Sequence, residues 1–423
     1  MSLLIVGAGV FGLSAAIEAQ KKGYSVTVID KHPVPSPYSA ACDINKIIRS
    51  EYDSHFYAKM SLDAIEAWKS DPEYSETYFE CGRLSVCPKS NSNRRRFDDI
   101  SIAVLGELGK ADKITKYADA VSLKRDLPCL ADCQFSSGDV YVYNGRAGYA
   151  HSSNALKAAW RKAVRCGVQF VFGEAGEAVG IEQTDGKTAV AAKSGARYTA
   201  DKILVACGAS SGFVVNVAGV QAATGLFVTH IQLTPAEAAE MEDIPVIFDA
   251  GLGYFFPPDK ETGLVKVCIS GVAAANNVAN PHDYGTVSLP RYKHDTATDT
   301  IPQNSLSQAR RLLTKYFPEL ATKPFIGSKT CWIADSSNSD FIIDKVPGHS
   351  DVYLASGDSG HGFKFLPIIG SYVLAMLEGR LDATTAERWK WRGEPEGLEK
   401  YKNTDWKLTK QLLEFDQITF AKE

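Results

Sequence analysis

An apolar run at the N-terminus leads directly into three glycines at fixed spacing. Residues 3–6 (LLIV) predict a buried strand, and the stretch LSAAIEAQKKG after the glycines predicts a helix that ends at Gly23. The alternating stretch YSVTVID then predicts a second strand, which ends at Asp30. These residues therefore predict a β-α-β unit at the start of an α/β fold. Its first turn consists of Gly7, Ala8, Gly9, Val10, Phe11 and Gly12.

Each glycine of this motif has a mechanical role in binding a dinucleotide. The three permit a tight turn, close approach of the backbone to a pyrophosphate, and packing of the helix on the strand. The helix N-terminus offers N–H groups and a partial positive charge to the phosphates. Asp30 lies 18 residues after Gly12, where a carboxylate accepts from ribose hydroxyls. The motif does not distinguish NAD from FAD, and the expected cofactor contacts are Gly7, Gly9, Val10, Phe11, Gly12, Asp30 and Lys31.

The composition restricts the class of ligand. The chain has 423 residues, 45% of them hydrophobic, and a formal net charge of -4, which offers no electrostatic basis for binding nucleic acid or an anionic membrane. The apolar N-terminal stretch has no basic region before it and carries its glycines at fixed spacing in a strand-to-helix pattern, so we expect it to be part of the fold. No run of about 18 apolar residues predicts a membrane span. The nine cysteines form no CxxC pairs. This pattern predicts a cytoplasmic protein without a disulfide framework or a metal site.

Further along the chain, the pattern becomes rich in strands. Residues 201–211 (DKILVACGASS) predict a strand that runs into a turn of small residues, where Gly208 can approach a cofactor closely. From about residue 225 to 325, β-branched and aromatic residues predict a mainly antiparallel sheet. Residues 352–380 predict a strand, a glycine-rich turn and a helix. The fold class is therefore α/β (α+β), with a Rossmann-like domain and a sheet-rich substrate lobe.

Five stretches together resemble one enzyme family in order and spacing. They are GAGVFG with Asp30, DINKIIR at 43–49, VACGAS at 205–210, TCWIADSSNSDFIID at 330–344 and GDSGHGFKFLP at 357–367. The chain resembles the amine-oxidising flavoenzymes of the monomeric sarcosine oxidase family. Within that family it is most similar to the fungal fructosyl amino acid oxidases (amadoriases) and the related saccharopine and pipecolate oxidases, over a stretch that reaches about residue 392.

The resemblance implies a division of the chain and a mode of flavin attachment. A discontinuous FAD-binding domain would consist of residues 1–80, 146–222 and 326–423, the last with C-terminal helices, and a substrate domain of residues 81–145 and 223–325. FAD would be bound covalently through its 8α carbon to Cys331, which lies ten residues before the strand FIID at 341–344. The attacking thiolate must lie on an ordered segment at the ring edge. Trp332 would shield that edge, and Cys207 and Cys268 would stay unmodified.

The resemblance also implies the reaction. A hydride equivalent would move from the α-carbon of a secondary amine to the flavin, water would hydrolyse the iminium, and oxygen would reoxidise the flavin to release hydrogen peroxide. This chemistry needs a cation for the substrate carboxylate and a cation near the flavin for developing superoxide. Lys364 matches the family lysine for the carboxylate, and Lys46 matches the amadoriase lysine thought to assist the oxygen reaction. The expected catalytic residues are Lys46, Arg49 and Lys364.

The glycine-rich turn around residue 360 is expected to lie under the flavin pyrimidine. Its backbone N–H groups would stabilise negative charge on the reduced ring. His361 could be a catalytic base, but a lone histidine in such a turn is more often structural. A lysine in the near-apolar stretch around Lys364 needs an anionic partner when it is buried. The remaining expected cofactor contacts are Lys46, Gly208, Cys331, Asp358, Gly360, Gly362, Phe363 and Lys364.

Two departures from the amadoriase pattern bear on the substrate. In the strand LVKVCIS, Ser270 stands where the amadoriases have a glutamate that helps to anchor the substrate, which counts against glycated amino acids. Arg49 resembles the Ile-Ile-Arg of sarcosine, pipecolate and saccharopine oxidases, and beside Lys46 it suits a substrate with one or more carboxylates. The expected substrate contacts are Arg49, His230, Tyr254 and Lys364.

We therefore predict a monomeric FAD-dependent oxidase of an N-substituted or N-methylated amino acid, with a small amine and oxygen as its partners. The alternatives are a fructosyl amino acid or peptide oxidase and a biosynthetic amine oxidase whose iminium is captured intramolecularly. From another class, an NAD(P)-linked dehydrogenase or a flavin monooxygenase would depend on nicotinamide. A non-catalytic flavoprotein would not need both Lys46 and Lys364 around one ring. The sequence leaves open the N-substituent, the side chain and the fate of the imine.

Overall fold

The computed structural model describes residues 1–184, 186–292, 300–393 and 409–421. Within these ranges the chain forms two main sheets, three small sheets and nine α-helices. The helices are Val10–Lys21, His55–Ser70, Ser92–Glu107, Ala120–Asp126, Ser152–Arg165, Pro235–Glu240, Gln303–Tyr316, Ile369–Leu377 and Ala383–Trp389.

The first main sheet has six strands and contains the predicted β-α-β unit. Neighbouring strands of this sheet are parallel, except for one antiparallel pair at an edge. The carboxyl ends of the parallel strands meet at one side of the sheet, where ligands bind in doubly wound α/β folds. In order across the sheet, the strands are Ile342–Lys345, Val352–Ser356, Lys202–Val205, Ser2–Val6, Ser25–Asp30 and Gln169–Phe172.

Helix Val10–Lys21 is held closely against the helix Ile369–Leu377. Ser14 Oγ donates to the carbonyl oxygen of Leu366 at 2.8 Å and accepts from the N–H of Gly370 at 2.8 Å. A Cβ atom at Gly370 would overlap the backbone of Ser14, so the crossing requires glycine there. This contact ties the helix that follows the glycine motif to the helix Ile369–Leu377.

The second main sheet has ten strands and is mainly antiparallel, as predicted. Two pairs of adjacent strands are parallel. They are Val246–Asp249 with Arg83–Pro88 and Gly271–Ala275 with Thr409–Glu414. The order of nine strands is Thr409–Glu414, Gly271–Ala275, Gln221–Gln232, Leu264–Ile269, Gly253–Phe255, Val246–Asp249, Arg83–Pro88, Asp139–Asn144 and Ile114–Tyr117, and Ile326–Ser336 pairs with Gln221–Gln232.

Three smaller sheets complete the described parts of the chain. Lys46–Ile48, Gly148–Ala150 and Tyr78–Phe79 form a three-stranded sheet, in which Lys46 lies opposite Ala150. The other two sheets consist of Ala178–Thr184, Lys187–Ala192 and Arg197–Thr199, and of Asn277–Ala279 and Thr286–Ser288. No helix in the described ranges combines the length and apolar character needed to span a membrane.

One strand lies outside the domain to which the sequence assigned it. Residues 326–423 were expected to belong to the FAD-binding domain, yet Ile326–Ser336 pairs antiparallel with Gln221–Gln232 in the ten-stranded sheet. Thr409–Glu414 also joins that sheet. The sequence did not predict this because a strand's partner depends on long-range pairing that its own residues do not encode. Cys331 therefore lies in the ten-stranded sheet, paired with Leu226.

Candidate active site

A cavity of about 660 Å³ is lined by residues of both main sheets. Gly7, Gly9 and Asp30 contribute from the six-stranded sheet and its first turn, and Cys331 and Tyr254 contribute from the ten-stranded sheet. The cavity therefore connects the predicted nucleotide motif with the predicted flavin-attachment residue.

The glycine motif has the geometry that a bound diphosphate needs. Gly7 has a φ of 109°, and a Cβ atom there would lie 2.5 Å from the carbonyl oxygen of Ala206. A Cβ atom on Gly9 would enter space in which no protein atom lies within 4 Å. The helix Val10–Lys21 has no side-chain cap on its first turn, so its N–H groups and partial positive charge are available to an anion.

Asp30 is positioned by the backbone around the motif. Its carboxylate accepts from the N–H of Ala8 at 2.7 Å and from the N–H of His32 at 2.9 Å. Burial raises the pKa of Asp30, and these two hydrogen bonds act in the opposite direction. Lys31 lines the cavity but pairs with Glu177 at 3.0 Å. Each carboxylate oxygen of Asp30 keeps acceptor capacity for ribose hydroxyls.

The turn after strand Val352–Ser356 is tied to the strand that carries Cys331. Asp358 accepts from the N–H of Ala334 at 3.0 Å and from the N–H of Gly360 at 2.9 Å. Ser359, with a φ of 46°, donates its N–H to the carbonyl oxygen of Ala334 at 2.9 Å. The turn is thus held rigidly against the cavity, which Asp358, Gly360, Gly362 and Phe363 line.

Cys331 lies on the cavity face of the ten-stranded sheet. It is 9% exposed, it pairs with Leu226 in register, and its Sγ lies 3.5 Å from the carbonyl oxygen of Ala40. Trp332, the next residue, also lines the cavity, while its Nε1 donates to the carbonyl oxygen of Arg291 at 2.6 Å and its ring packs on Phe415. That the Trp332 ring shields the flavin edge stays a prediction.

Two other cysteines line the same cavity, and both are less suited to attachment. Burial raises the pKa of the Cys207 thiol, which contacts the carbonyl oxygen of Val6 at 3.2 Å. Burial also raises the pKa of Cys268, which is only 2% exposed. Since the thiolate is the nucleophile, a raised pKa disfavours reaction at these two sites.

Asp43 joins two lysines that line the cavity. Its Oδ2 lies 2.7 Å from Lys266 Nζ and 3.2 Å from Lys46 Nζ, and Lys266 Nζ also donates to the carbonyl oxygen of Asn45 at 2.9 Å. The two lysines hold the pKa of Asp43 well below its ordinary value despite burial. The pKa of Lys46 is raised by Asp43, whereas burial lowers that of Lys266. One carboxylate between two ammonium groups leaves the cavity wall electropositive.

Lys364 is buried in a polar chain next to the cavity turn. Its Nζ donates to Tyr52 Oη at 2.8 Å and to the carbonyl oxygen of His361 at 3.0 Å. Tyr52 Oη lies 3.0 Å from His361 Nδ1, and His361 Nε2 lies 2.9 Å from the carbonyl oxygen of Ser339. Nε2 must therefore carry a hydrogen, and Nδ1 can accept from Tyr52. Both imidazole nitrogens have protein partners, which favours the structural role for His361.

The second cation of the predicted carboxylate site, Arg49, is also buried. Its Nη1 donates to the carbonyl oxygen of Glu51, and its guanidinium lies 4.6 Å from the centre of the Tyr52 ring. Burial lowers the pKa of Lys364 strongly, and the positive charge of Arg49 acts in the same direction. Within the described residues, no carboxylate lies within ion-pair distance of Arg49 or Lys364.

The remaining predicted substrate residues have different surroundings. Tyr254 lines the cavity, and burial raises its pKa well above the ordinary value. His230 lies opposite Lys266 in register, with Nε2 at 3.8 Å from Asp43 Oδ1. Ser270, which replaces the amadoriase glutamate, accepts from Gln308 Nε2 through its carbonyl oxygen at 2.5 Å. Ser270 thus contacts the helix Gln303–Tyr316.

The cavity brings together most, though not all, of the predicted residues. Within the described chain, four of them do not line it: Gly12, Arg49, His230 and Lys364. Gly12 instead packs against Gly7, where a Cβ atom would overlap the carbonyl oxygen, so its role is the predicted helix packing. The predicted residues that line it are Gly7, Gly9, Val10, Phe11, Asp30, Lys31, Lys46, Gly208, Tyr254, Cys331, Asp358, Gly360, Gly362 and Phe363.

Sequence reasoning missed Lys266, Asp43 and Tyr52 as site residues. The sequence does contain an indication for Lys266. A lysine in the otherwise apolar strand Leu264–Ile269 must be buried and therefore needs a carboxylate partner. Asp43 lies three residues before Lys46, but its contact with Lys266 spans more than 200 residues and follows from the fold alone. Tyr52 carried no signal of its own.

These residues fit FAD. The diphosphate would be held at the uncapped turn of Val10–Lys21, the adenosine ribose at Asp30, and the flavin between the 358–363 turn and the sheet face that carries Cys331. The open space at Gly9 and the closely packed turn at Gly7 are the features that such a cofactor requires.

Comparison with known proteins agrees with this fit. The profile of the "FAD dependent oxidoreductase" family, DAO, matches residues 2–376. L-saccharopine oxidase of Schizosaccharomyces pombe is 37% identical over 434 residues, covering 99% of this chain and 99% of that protein. The fructosyl peptide oxidase of E. terrenum superposes with a TM-score of 0.90 at 26% identity over 100% and 97% of the two chains. The fructosamine oxidase amadoriase II of Aspergillus fumigatus gives 0.87 at 30% identity over 99% and 96%.

The family profile covers most of the chain, and the saccharopine oxidase matches it from end to end. The flavoenzyme resemblance read from five short stretches is confirmed, as are the fold class and the assignment to FAD-dependent amine oxidases. The chain belongs to the FAD-dependent oxidoreductase family, in the group that contains the sarcosine, saccharopine and fructosyl amine oxidases.

Proposed function

We propose that this protein oxidises the C–N bond of a secondary amine that carries more than one carboxylate, such as saccharopine. We propose also that the reaction produces hydrogen peroxide. The observation that carries the proposal is the buried pair Arg49 and Lys364. Both are basic side chains, and among the described residues they donate only to uncharged acceptors. These are the backbone carbonyl oxygens of Glu51 and His361 and the hydroxyl of Tyr52. Such charges are costly to bury without an anion. A substrate carboxylate supplies one.

The residues in and next to the cavity have separate proposed roles in substrate binding and in the reaction with oxygen. Bound FAD supplies the two-electron acceptor and passes its electrons to oxygen. Arg49 and Lys364 orient the amine by its carboxylate, because a fixed carboxylate fixes the adjacent C–H bond. Lys46 and Lys266, with Asp43 between them, place a positive charge on the cavity wall where oxygen acquires negative charge. The high pKa of Lys46 keeps it charged throughout turnover.

The flavin is proposed to be attached covalently at Cys331. Support comes from its place on the cavity face and from the raised pKa values of the two other cavity cysteines, Cys207 and Cys268. After acid precipitation, the yellow colour should stay with the protein pellet. It should move to the supernatant for Cys331→Ser but not for Cys268→Ser, the matched control. Colour in the supernatant of the unaltered protein would contradict the assignment.

The activity is tested by peroxide release and oxygen consumption without nicotinamide. We expect saccharopine to give the highest kcat/KM in a set with sarcosine, pipecolate, N-methylated aromatic amino acids and fructosyl-valine. The protein is expected to act as a cytoplasmic monomer, which sedimentation and cell fractionation can check. Turnover that requires NAD(P)H, or saccharopine turnover no better than that of sarcosine, would overturn the proposal.

One alternative has specific support. Fructosyl peptide oxidase superposes on the whole chain, so the scaffold is compatible with a glycated substrate. Ser270 argues against it, because it offers no carboxylate and contacts Gln308 instead. A fructosyl-valine kcat/KM above that of saccharopine would favour this alternative.

A further inference from the structure

Two further arginines are buried near Arg49, Arg83 on the strand Arg83–Pro88 and Arg94 on the helix Ser92–Glu107. Arg83 is 3% exposed and Arg94 is 4% exposed. Their guanidinium carbons lie 4.3 Å and 4.7 Å from the centre of the Phe248 ring. Both guanidinium groups lie against the same buried ring, and like charges in a low-dielectric interior repel each other.

Each of these arginines has one carboxylate partner and keeps unused donors. Arg83 Nη1 lies 3.2 Å from Glu51 Oε1, and Arg94 Nη2 lies 2.7 Å from Asp98 Oδ1. The Nε atoms of both arginines are buried without a hydrogen-bond partner, and so is the hydroxyl of Ser85. Leaving such polar groups unpaired destabilises the fold, and a bound anion would satisfy them.

Basic side chains outnumber carboxylates in this cluster. Within the described residues it contains four buried basic side chains and two buried carboxylates. Burial, together with the charges of Arg94 and Arg49, lowers the pKa of Arg83 to about 10, and Arg49 and Arg83 both act to lower that of Lys364. The cations are Arg49, Arg83, Arg94 and Lys364, and the carboxylates are Glu51 and Asp98.

The cluster residues do not line the cavity, but Arg83 and Ser85 lie on the same face of the ten-stranded sheet as Tyr254, which does. In register, Cys268 pairs with Tyr254, Tyr254 with Phe248, and Phe248 with Ser85. Paired residues share a face of the sheet, and residues two apart along a strand share it too, which places Arg83 on this face. Tyr254 lines the cavity and stacks on Phe248 at 6.0 Å between ring centres.

We propose that Arg83 and Arg94, with Ser85, form a subsite for a second substrate carboxylate, separate from the one that Arg49 and Lys364 hold. This inference rests on the proposed function and narrows it, since it makes the distance between two carboxylates the basis of selection. A guanidinium donates in a planar fork that matches a carboxylate. The enzyme therefore prefers secondary amines with two or more carboxylates over sarcosine or pipecolate, which have one.

The test measures binding apart from turnover. The FAD-loaded protein is titrated with glutarate, which has two carboxylates, and with acetate, which has one, and the change in flavin absorbance gives each dissociation constant. We expect glutarate to bind the unaltered protein more tightly than acetate. In Arg83→Gln and Arg94→Gln, glutarate binding should weaken by about tenfold to a hundredfold, as for a lost charge-assisted hydrogen bond. Acetate binding should change less than glutarate binding.

Arg310 provides the matched control. Its guanidinium carbon lies 3.8 Å from the centre of the Phe325 ring, in the same lobe but outside the cluster. Arg310→Gln removes an arginine–aromatic contact and should leave both dissociation constants unchanged. Arg83→Lys keeps the charge but loses the fork, and it should show an intermediate loss of glutarate affinity. It also serves as the second variant if Arg83→Gln does not retain flavin.

The outcomes separate this inference from the proposed function. If saccharopine is not oxidised but glutarate binding depends on Arg83, the proposed activity fails and the subsite stands. If saccharopine is oxidised with the same KM in Arg83→Gln and Arg94→Gln as in the unaltered enzyme, the activity stands and the subsite is wrong. Equal affinity of the unaltered protein for glutarate and acetate would also overturn the subsite, and this measurement needs no variant.

Discussion

Two groups of buried cations, one that lines the candidate site and one next to it, are compensated in different ways. Lys46 and Lys266 share one carboxylate oxygen of Asp43. Arg49 and Lys364 donate to neutral oxygens and have no carboxylate within ion-pair distance among the described residues. The first group carries its own counter-charge, and the second does not.

This difference is reflected in protonation. The carboxylate of Asp43 raises the pKa of Lys46, so this lysine stays charged whatever the cavity holds. Burial and Arg49 lower the pKa of Lys364, so its charge is stabilised only when an anion arrives. A compensated pair suits a permanent electrostatic role toward oxygen, and an uncompensated pair suits binding of an anionic substrate.

Removing the Asp43 carboxylate should leave Lys46 and Lys266 as buried cations without a carboxylate partner, like Arg49 and Lys364. Asp43→Asn leaves Lys46 and Lys266 buried without an anion, and we expect the free energy of unfolding to fall by about 3 to 5 kcal/mol. Denaturant unfolding of the flavin-loaded protein measures this loss.

A double-mutant cycle provides the control for that loss. Adding Lys266→Met to Asp43→Asn removes the repulsion between the lysines and should restore part of the stability. If the loss of stability in the double variant equals the sum of the losses in Asp43→Asn and Lys266→Met, Lys266 and Asp43 are not energetically coupled.

Removing Lys364 should affect the reductive half-reaction. In Lys364→Met, the transition state for flavin reduction by substrate should lose about 2 to 4 kcal/mol of stabilisation, because the carboxylate loses a buried charged partner. Stopped-flow measurement of flavin reduction gives this value. Lys202→Met is the matched control, since Lys202 Nζ also donates to a tyrosine, Tyr353, at 3.0 Å, but in the six-stranded sheet. Unchanged reduction in Lys364→Met would remove this lysine from the site.

Removing Lys46 should affect the other half-reaction. Lys46→Met leaves Asp43 and Lys266 as a neutral pair, so the cavity wall loses its net positive charge, and reoxidation by oxygen should slow by about tenfold. Reduction by substrate should change less. Lys266→Met should give a similar loss, because each variant leaves one lysine for the one carboxylate. Slower reduction with normal reoxidation would contradict the division of roles.

The sequence predicted the parts of the site that depend on local backbone geometry. The turn at Gly7, the strand-end position of Asp30 and the helix Val10–Lys21 follow from short motifs and periodicity. The substrate-side residues were named from family resemblance, and their surroundings were not predictable. The contact between Lys266 and Asp43 and the placement of Ile326–Ser336 in the large sheet both depend on pairing between distant segments.

The smallest expected effect is the pH dependence that separates the two cation groups. The pKa of Lys364 is lowered, so this lysine loses its charge at a lower pH than an ordinary lysine and acetate affinity should fall as pH rises through that range. The pKa of Lys46 is raised, so the rate of reoxidation should stay constant over the same range. Titration of the flavin-loaded protein with acetate from about pH 6 to about pH 10 measures the first effect, and oxygen kinetics measure the second. In Lys364→Arg the affinity should become nearly independent of pH, because a guanidinium keeps its charge there. A parallel decline of binding and reoxidation would mean that one ionisation controls both, and the two groups would then not be electrostatically distinct.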